Sequence, residues 1–332
     1  MRDDIDAGVI DEVFAEAMTM GVGPTAPLHQ PVMGAEVLHY LRPRPGGVVV
    51  DGTTGTGGHS LMILPRLLPH GRLIAIDRDR DSLDVAQGRM AEFFPQVTLL
   101  HDNYRNLPTL LATLSCPRVD GLLLDLGMSS PQVDRPERGF SFLKEGPLDM
   151  RMDRSQGEMA ESIVNSWSAD ELAAILGMLG EERFARRIAN RIIQERRRHP
   201  MTTTVQLARA VVEAVPAGAR HGRLHPATRT FQALRMAVND ELGALETLLG
   251  RLGDLLNPGG RAVILAYHSL EDRLVKRAFA QGLRDRRWRV LTKKPVTPSE
   301  GEETSNPRAR SAKLRAIERT TAATDPTGTQ RP

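Results

Sequence analysis

Residues 48–59 decide the fold; they read Val48-Val-Val-Asp51-Gly-Thr-Thr-Gly55-Thr-Gly-Gly-His59. Three successive β-branched residues are typical of a buried parallel strand, which Asp51 ends. The glycines that follow predict a sharp turn where a ligand can approach the backbone, because no Cβ stands in the way. A helical pattern begins at His59. Strand, glycine turn and helix together predict an α/β fold with a binding site at the carboxyl ends of its strands.

Two further predicted strands also end in an acid. Residues 72–77 read as the second strand and residues 119–127 as the fourth, with Asp77 and Asp125 at their carboxyl ends. A carboxylate after the second strand can accept hydrogen bonds from both hydroxyls of a ribose. A single strand-end Asp is usually a turn former, and a glycine turn alone needs no ligand. The three acids together predict a site for a nucleoside-bearing ligand.

The loop itself narrows the choice of ligand. It lacks the Gly-Lys-Ser/Thr of a P-loop and departs from the G-x-G-x-x-G of dinucleotide enzymes. Asp51 ahead of the loop would repel a pyrophosphate, but it suits a ligand with positive charge, such as the amino group and sulfonium of S-adenosylmethionine (SAM). Tyr104 follows the predicted third strand and could pack on an adenine face, or it could be an ordinary tyrosine at the rim.

Composition places the chain among soluble globular proteins. Of its 332 residues, 40% are hydrophobic and 26% charged, as in average globular domains. No apolar run reaches the length of a membrane-spanning helix, and the first residues lack the pattern of a signal peptide. A lone cysteine, Cys116, excludes an intramolecular disulfide and a Cys-rich zinc site. We therefore expect a cytoplasmic protein that has no membrane partner and requires no metal.

The alternation of strand and helix stops after residue 132 and resumes later in the chain. Residues 133–225 carry turns and then helical patterns, so we predict an inserted helical domain that recognises the substrate. Residues 28–132 and 226–320 would form the ligand-binding domain, with one continuous helix at 229–252. We expect residues 1–27 and 321–332 to be a disordered extension and a disordered tail.

Two stretches are rich in cations. Residues 183–198 contain seven arginines, of which we single out Arg186, Arg187, Arg191 and Arg197; residues 284–294 add six cations around Trp288. Such density can neutralise phosphates and release counterions, although a charge run usually marks a solvated helix face. Beside a nucleoside site, the arginines favour an RNA partner.

Several stretches resemble the MraW family of ribosomal RNA methyltransferases, and the resemblance runs from about His29 to Arg319. The glycine loop 51–59 is similar to the SAM loop of class I methyltransferases. The stretches that narrow the resemblance to this family are Leu124–Gln132, Arg138–Phe142, Pro147–Asp153, Arg229–Arg235, Tyr267–Asp272 and Asn306–Arg315.

The resemblance implies a class I, Rossmann-like SAM-dependent methyltransferase with a mostly parallel sheet and an inserted all-helical domain. It implies methylation of the N4 amine of one cytidine in the decoding centre of 16S rRNA, and either free rRNA or the small ribosomal subunit could be the substrate. The oligomeric state is left open, a homodimer included. By motif, the SAM contacts would be Gly57, Gly58, His59, Asp77, Tyr104, Asp125 and Gln132; the charge argument adds Asp51.

An exocyclic cytosine amine is a poor nucleophile, so its methylation needs acceptor oxygens at its hydrogens and an in-line approach to the methyl group. We hypothesise that Asp125 and Ser129 or Ser130 face the amine, with Asp149 as a further candidate. Asp149 could instead pair with Arg151 and Arg154. His268 is a candidate proton acceptor, or else it makes a structural hydrogen bond at a strand end.

Amine methyltransferases of DNA carry an Asp/Asn/Ser-Pro-Pro-aromatic motif after strand four. The chain has Asp125-Leu-Gly-Met there, which keeps the acid but lacks the prolines and the aromatic residue. The partner that stacks on the base must therefore come from elsewhere.

Three rival functions remain. An NAD-dependent dehydrogenase would need a pyrophosphate loop and a hydride-transfer site, which the sequence lacks. A methyltransferase of small molecules would need neither the arginine stretches nor a long helical insert. A non-enzymatic RNA-binding protein would not need three acidic strand ends, and a measurement of SAM binding would distinguish it.

Overall fold

The computed structural model describes residues 31–220 and 225–320, so the predicted extension 1–27 and tail 321–332 lie outside it. Its centre is a seven-stranded sheet of order β3-β2-β1-β4-β5-β7-β6. The strands are β1 Val48–Asp51, β2 Arg72–Asp77, β3 Val97–His101, β4 Val119–Asp125, β5 Leu256–Ala266, β6 Trp288–Val290 and β7 Lys313–Arg319. The first five strands are parallel, whereas β7 runs antiparallel to both of its neighbours. The predicted α/β fold, Rossmann-like with a mostly parallel sheet, is confirmed.

The helices of the described residues cover the sheet and build a separate region. They are α1 Gly34–Leu41, α2 Gly58–Leu67, α3 Arg80–Arg89, α4 Leu107–Thr113, α5 Ser130–Asp134, α6 Ala160–Ser166, α7 Ala169–Met178, α8 Ala185–Arg196, α9 Thr204–Ala214, α10 Thr228–Asn239, α11 Glu241–Leu255, α12 Ser269–Arg284 and α13 Glu300–Ser305. Among them, none is both long enough and apolar enough to cross a membrane.

Each face of the sheet packs into its own hydrophobic core. Successive side chains of a strand point to opposite faces. Val50 and Leu122 therefore join the core beneath α4, α11 and α12, whereas Val49 and Leu123 join the core beneath α1 and α2. Burial on both faces explains why the central strands are apolar throughout.

A third core belongs to the helical region. It runs from Leu148 to Leu234 and draws on α6 to α10. A core of its own fits the predicted helical insert at 133–225, but Phe231 and Leu234 of α10 also lie in it. The boundaries of the insert at residues 133 and 225 stay a prediction.

The prediction of one continuous helix at 229–252 is wrong. The backbone of Asp240 adopts a left-handed conformation, with φ of 45°, and separates α10 from α11. Just before the break, the Asn239 side chain accepts a hydrogen bond from Met152 N at 2.8 Å and donates to Met150 O at 2.7 Å. These bonds to the helical region fix the bend, and helical periodicity does not reveal them.

Candidate active site

The glycine loop is fastened to the neighbouring strand. Thr54 N donates to Ile76 O at 3.0 Å, and Gly55 N donates to Asp77 Oδ2 at 2.7 Å. Gly55 and Gly57 have φ of 52° and 88°, which glycine adopts without strain. A Cβ on Gly52 would lie 2.6 Å from Leu124 Cδ2, so the loop passes too close to β4 for a larger residue.

Asp51 lies beneath this loop. Its side chain is 1% exposed; Oδ2 accepts from Ser60 Oγ at 2.7 Å and Oδ1 from Thr53 N at 3.2 Å. Burial raises the pKa of Asp51, against the lowering effect of the Ser60 hydrogen bond and of His59. Asp51 therefore shapes the loop and the start of α2 through these two hydrogen bonds, and its contact with a ligand stays a prediction.

Asp77 closes β2 next to the loop. Its Oδ2 accepts from Gly55 N, and its Oδ1 accepts from Asp79 N at 2.8 Å. Burial raises the pKa of Asp77 to about 6, even though both backbone hydrogen bonds favour the ionised form. Backbone donors thus hold the carboxylate at the loop, and the hydroxyl groups of a diol could replace those donors.

Asp125 closes β4 on the other side of β1. Its backbone N donates to Thr53 Oγ1 at 2.6 Å, and its Oδ1 accepts from the Tyr267 hydroxyl at 2.6 Å. Its Oδ2 lies 3.7 Å from His59 Nδ1, and the side chain is 25% exposed. Burial raises the pKa of Asp125, while His59 and the Tyr267 hydrogen bond lower it. Asp125 is thus an oriented carboxylate that remains open to the crevice.

Tyr267 is a site residue that the sequence analysis missed. Its hydroxyl is the donor to Asp125, and a Cβ on Gly127 would lie 3.5 Å from its ring. Burial raises the pKa of Tyr267, and the neighbouring Asp125 raises it further. Its position directly after the predicted fifth strand was the available signal, since the carboxyl end of that strand meets the end of β4.

His59 connects the glycine loop to Asp125. The ring lies at the start of α2, directly after Gly57 and Gly58, and it is 6% exposed. Its Nε2 lies 2.9 Å from Val32 O. Since a carbonyl oxygen only accepts, Nε2 carries the proton, and Nδ1 faces Asp125.

Gln132 is buried below the crevice. Its Nε2 donates to Asp79 Oδ2 at 2.7 Å, and its Oε1 accepts from Ser129 N at 3.0 Å. Ser129 ends the loop after Gly127, with its Oγ 3.3 Å from Ser82 Oγ, and Ser130 begins α5. Gln132 therefore holds the loop that carries Ser129 against the end of β2, and its amide is already engaged there.

Arg138 extends this network into the helical region. Its guanidinium is 1% exposed and donates to Asp79 Oδ2 at 2.9 Å. It also donates to the carbonyl oxygens of Arg151 and Met152, at 3.1 and 3.0 Å. One buried ion pair thus ties the helical region to the carboxyl edge of the sheet.

Two catalytic candidates have structural partners. His268 Nδ1 accepts from Glu271 N at 3.4 Å at the start of α12, and its Nε2 lies 3.2 Å from Glu271 Oε1. Asp149 is buried and accepts from Arg151 Nε at 2.7 Å, with Arg154 Nε 3.7 Å away. Asp149 is thus engaged by arginine, whereas the buried Nε2 of His268 makes no hydrogen bond among the described residues, so the role of His268 stays a prediction.

Within the described ranges, one group could offer ligands to a metal ion: Glu241, His268 and Glu271, whose ligand atoms lie within 4.8 Å of one another. Both oxygens of Glu241 accept from Arg235 at 2.8 Å, and Glu271 Oε2 accepts from Tyr267 N at 2.9 Å. The Arg235 guanidinium pairs with Glu241, and Glu271 is engaged by backbone, so we assign the group a structural role.

Tyr104 lies beside the loop, at the start of a short 3-10 turn (Tyr104–Asn106). A Cβ on Gly52 would lie 3.3 Å from Tyr104 Cβ. Burial raises the pKa of the phenol, so the hydroxyl stays protonated. This half-buried ring borders the crevice between the ends of β1 and β3.

The four arginines proposed for RNA lie on or next to α8, in different settings. Arg191 pairs with Glu195 at 2.8 Å and with Glu213. Arg186 lies 3.3 Å from Asp170, with both side chains largely exposed. Within residues 31–220 and 225–320, Arg187 and Arg197 are exposed and have no acid at ion-pair distance. These two are therefore the best placed to meet a phosphate.

The second cation-rich stretch is partly structural. Trp288 is 2% exposed and donates from Nε1 to Phe279 O at 2.9 Å, so it is packed in the core. Arg289 pairs with Glu318 across β6 and β7. The Trp288 ring fills the space between α12 and β6, and contact of the surrounding cations with RNA stays a prediction.

Comparisons with known proteins identify the family. The model of the MraW methylase family matches residues 26–320. Ribosomal RNA small subunit methyltransferase H of Geobacter sulfurreducens is 50% identical over 306 residues, 88% of this chain and 98% of that protein. The protein of the same name from Halothermothrix orenii is 46% identical with the same coverage. Among solved structures, a methyltransferase from Streptococcus mutans in complex with S-adenosylhomocysteine (SAH) covers 88% of this chain and 99% of its own, at 9% identity and a TM-score of 0.42. The chain therefore belongs to the MraW methylase family, a family of SAM-dependent methyltransferases.

Proposed function

We propose that the protein methylates the N4 amine of a specific cytidine in the decoding centre of 16S rRNA. The methyl donor is SAM, and the substrate is the rRNA within the small ribosomal subunit, in the cytoplasm. The observation that carries the proposal is the arrangement of Asp51, Asp77 and Asp125 at neighbouring strand ends around one glycine loop. Relatives with the same family pattern are named as methyltransferases of small-subunit ribosomal RNA.

The charges of this edge suit the proposed donor. SAM carries a sulfonium and an ammonium, and buried carboxylates such as Asp77 and Asp125 gain most from a nearby cation. Both have a raised pKa because of burial. Gly57 and Gly58 form the turn into α2, where a Cβ would meet Ala86 at 3.6 Å and Pro31 at 3.1 Å, and Tyr104 lies beside the same loop. We propose that these residues hold the donor.

Asp125 has the features that amine methylation needs. Its Oδ1 accepts from Tyr267, whereas its Oδ2 accepts no hydrogen bond from the described residues and lies 3.7 Å from His59 Nδ1. We propose that Oδ2 accepts a hydrogen from the target amine and so directs the nitrogen lone pair. The methyl group of a sulfonium is already activated, so the protein contributes mainly orientation. Ser129, at the rim of the same crevice, is a second candidate acceptor.

The helical region supplies the proposed surface for RNA. Arg187 projects from α8, and Arg197 projects from its C-terminal end. Arg186 pairs with Asp170, and both of these side chains are largely exposed to solvent. Guanidinium groups of this kind neutralise phosphates and fix the position of the RNA. The cytidine must be splayed out of its stack to reach a crevice between strand ends, which a loop or junction in RNA allows.

The test uses the full chain, isotopically labelled SAM, and small subunits from cells that lack this methylation. Digested nucleosides are then separated by mass spectrometry. We expect label in N4-methylcytidine with the wild type and none with Asp125→Ala. Asp84→Ala is the matched control, since Asp84 forms only an exposed pair with Arg80 on α3.

Label in a different nucleoside would show that the protein methylates another position of the RNA. No label, with SAM still bound in calorimetry, would instead favour a small-molecule substrate. A homodimer stays a prediction, which the mass of the protein in solution tests separately.

A further inference from the structure

Methylation of an amine leaves a proton to be removed. The nitrogen of N4 forms a bond to the methyl carbon, while the bond from that carbon to sulfur breaks and its electron pair stays on sulfur. The nitrogen then carries the positive charge that the sulfonium lost. One of its two hydrogens must leave as a proton to give neutral N4-methylcytidine, and the crevice must provide an acceptor.

His59 offers an acceptor atom in the right place. The ring is 6% exposed, and the 2.9 Å hydrogen bond from Nε2 to Val32 O fixes the tautomer. In the neutral ring, Nδ1 is therefore a lone pair, and it faces Asp125 Oδ2 at 3.7 Å. These two acceptor atoms face each other with no proton between them, so a proton that binds there is stabilised by both.

We propose that His59 is the final acceptor of this proton, which reaches it through Asp125; the inference rests on the proposed function. The N4 nitrogen passes its proton to Asp125 Oδ2, and Oδ2 passes it to His59 Nδ1. Asp125 returns to a carboxylate, and the protein ends with one added proton on an imidazolium. Asp125 touches the reacting amine, whereas His59 acts through Asp125.

The charges around His59 make it ready to accept. Acids face it from several elements: Asp51 on β1, Asp125 on β4 and Glu302 on α13, with Glu36 of α1 acting on Glu302 and Tyr267 on Asp125. These acids favour the imidazolium. The start of α2 opposes it, because a helix N-terminus carries partial positive charge.

The bound donor shifts this balance during the reaction. A sulfonium beside Asp125 opposes protonation of His59 by like-charge repulsion. Transfer of the methyl group removes that charge and turns the sulfonium into a neutral thioether. The site therefore becomes more favourable for a proton at the moment when the amine releases one. His268, the earlier candidate, has its Nδ1 committed to Glu271 N and no comparable route from Asp125.

The first experiment is His59→Gln. A glutamine amide can still donate to Val32 O, but it has no titratable lone pair. In single-turnover methylation of small subunits, we expect a fall of about 100-fold at pH 7.5, the range of general-base effects. The wild-type rate should depend on pH, and the variant should lose that dependence. The KM for SAM should stay within about twofold, because a residue that acts on the proton through Asp125 should lower kcat and leave the binding of SAM unchanged. His39→Gln, at an exposed position on α1, is the control.

A second experiment uses the wild type and keeps the inference testable if His59→Gln does not fold. Calorimetry of SAM and of SAH binding at pH 7, in buffers of different ionisation enthalpy, gives the protons taken up with each. We expect greater uptake with SAH, and we expect His59→Gln or His59→Asn, whichever folds, to abolish the difference.

Equal proton uptake with SAM and SAH would overturn the inference. So would a His59→Gln enzyme with the wild-type rate and pH profile, or one whose loss lies entirely in KM. If the wild type forms no N4-methylcytidine, the proposed function fails instead, so the two failures are distinguishable.

Discussion

At the scale of single residues, the Tyr267 hydroxyl determines how Asp125 is presented. Tyr267→Phe keeps the ring against Gly127 but removes the 2.6 Å hydrogen bond to Oδ1. A hydrogen bond to a charged group contributes about 1.5–3 kcal/mol, so we expect kcat to fall about 10- to 100-fold. The KM for SAM should change little.

Steady-state methylation of small subunits measures this effect, and Tyr40→Phe serves as the control because the ring of Tyr40 packs on His39, away from the crevice. An unchanged kcat in Tyr267→Phe would show that the Asp125 carboxylate needs no support from this hydroxyl.

Asp77 gives the site a dependence on pH. Its pKa is about 6 in the folded protein against 3.8 for the ordinary group, because burial disfavours the charge. The neutral acid therefore stabilises the free protein fully below about pH 3.8, and this contribution is lost as pH rises through about 6. Hydroxyl donors of a ribose favour the carboxylate. We expect SAM affinity to increase from pH 5 to pH 7, with proton release near pH 6.

Calorimetry in paired buffers measures both quantities for Asp77, and Asp77→Asn should bind SAM more weakly with a reduced pH dependence. Affinity that is equal at pH 5 and pH 7 in the wild type would refute this role of Asp77.

At the scale of elements, the sequence predicted the features that depend on consecutive residues. The valines of β1, the glycine turn and the acids after β2 and β4 are consecutive features, and the structure has them as predicted. Strands β6 and β7 were missed because their pairing partners lie far along the chain. The cations of residues 284–294 favoured an RNA contact, but Arg289 pairs with Glu318 of β7, as does Arg261 of β5.

Trp288 tests this reading of β6. Its ring lies where a Cβ on Gly282 would come within 1.9 Å, so α12 and β6 meet through a glycine. We expect Trp288→Ala to lower the free energy of unfolding by about 3–5 kcal/mol, the usual cost of removing a buried aromatic ring. Urea denaturation measures the loss, and Trp288→Phe should recover part of it. Weaker RNA binding without a loss of stability would show that Trp288 contacts RNA after all.

At the scale of the whole molecule, the site is assembled by contacts that no single stretch encodes. Arg138 of the helical region pairs with Asp79 at the end of β2, and Tyr267 from β5 reaches Asp125 on β4. The sequence could predict which edge of the sheet carries the site, because parallel strands align their carboxyl ends. It could not tell that Asp51 and Gln132 are buried supports. Their hydrogen-bond partners, Ser60 and Asp79, can be identified only from the three-dimensional structure.

The arginines of α8 allow the two regions to be tested as one enzyme. Arg187 and Arg197 are exposed, whereas Arg191 is engaged by Glu195 and Glu213. We expect Arg187→Gln with Arg197→Gln to weaken binding of rRNA and to reduce the slope of log K against log salt by about 2, one for each lost phosphate contact. Calorimetric SAM affinity should be unchanged, because α8 does not contribute to the glycine loop.

Binding of the double variant is measured at several salt concentrations against Arg251→Gln, which removes another exposed arginine, from α11. Arg191→Gln should act differently: it should lower stability through Glu213 and leave the salt slope close to that of the wild type. If the double variant and Arg251→Gln lose equal affinity, net charge alone accounts for RNA binding, and α8 is not the surface that positions the cytidine at the crevice.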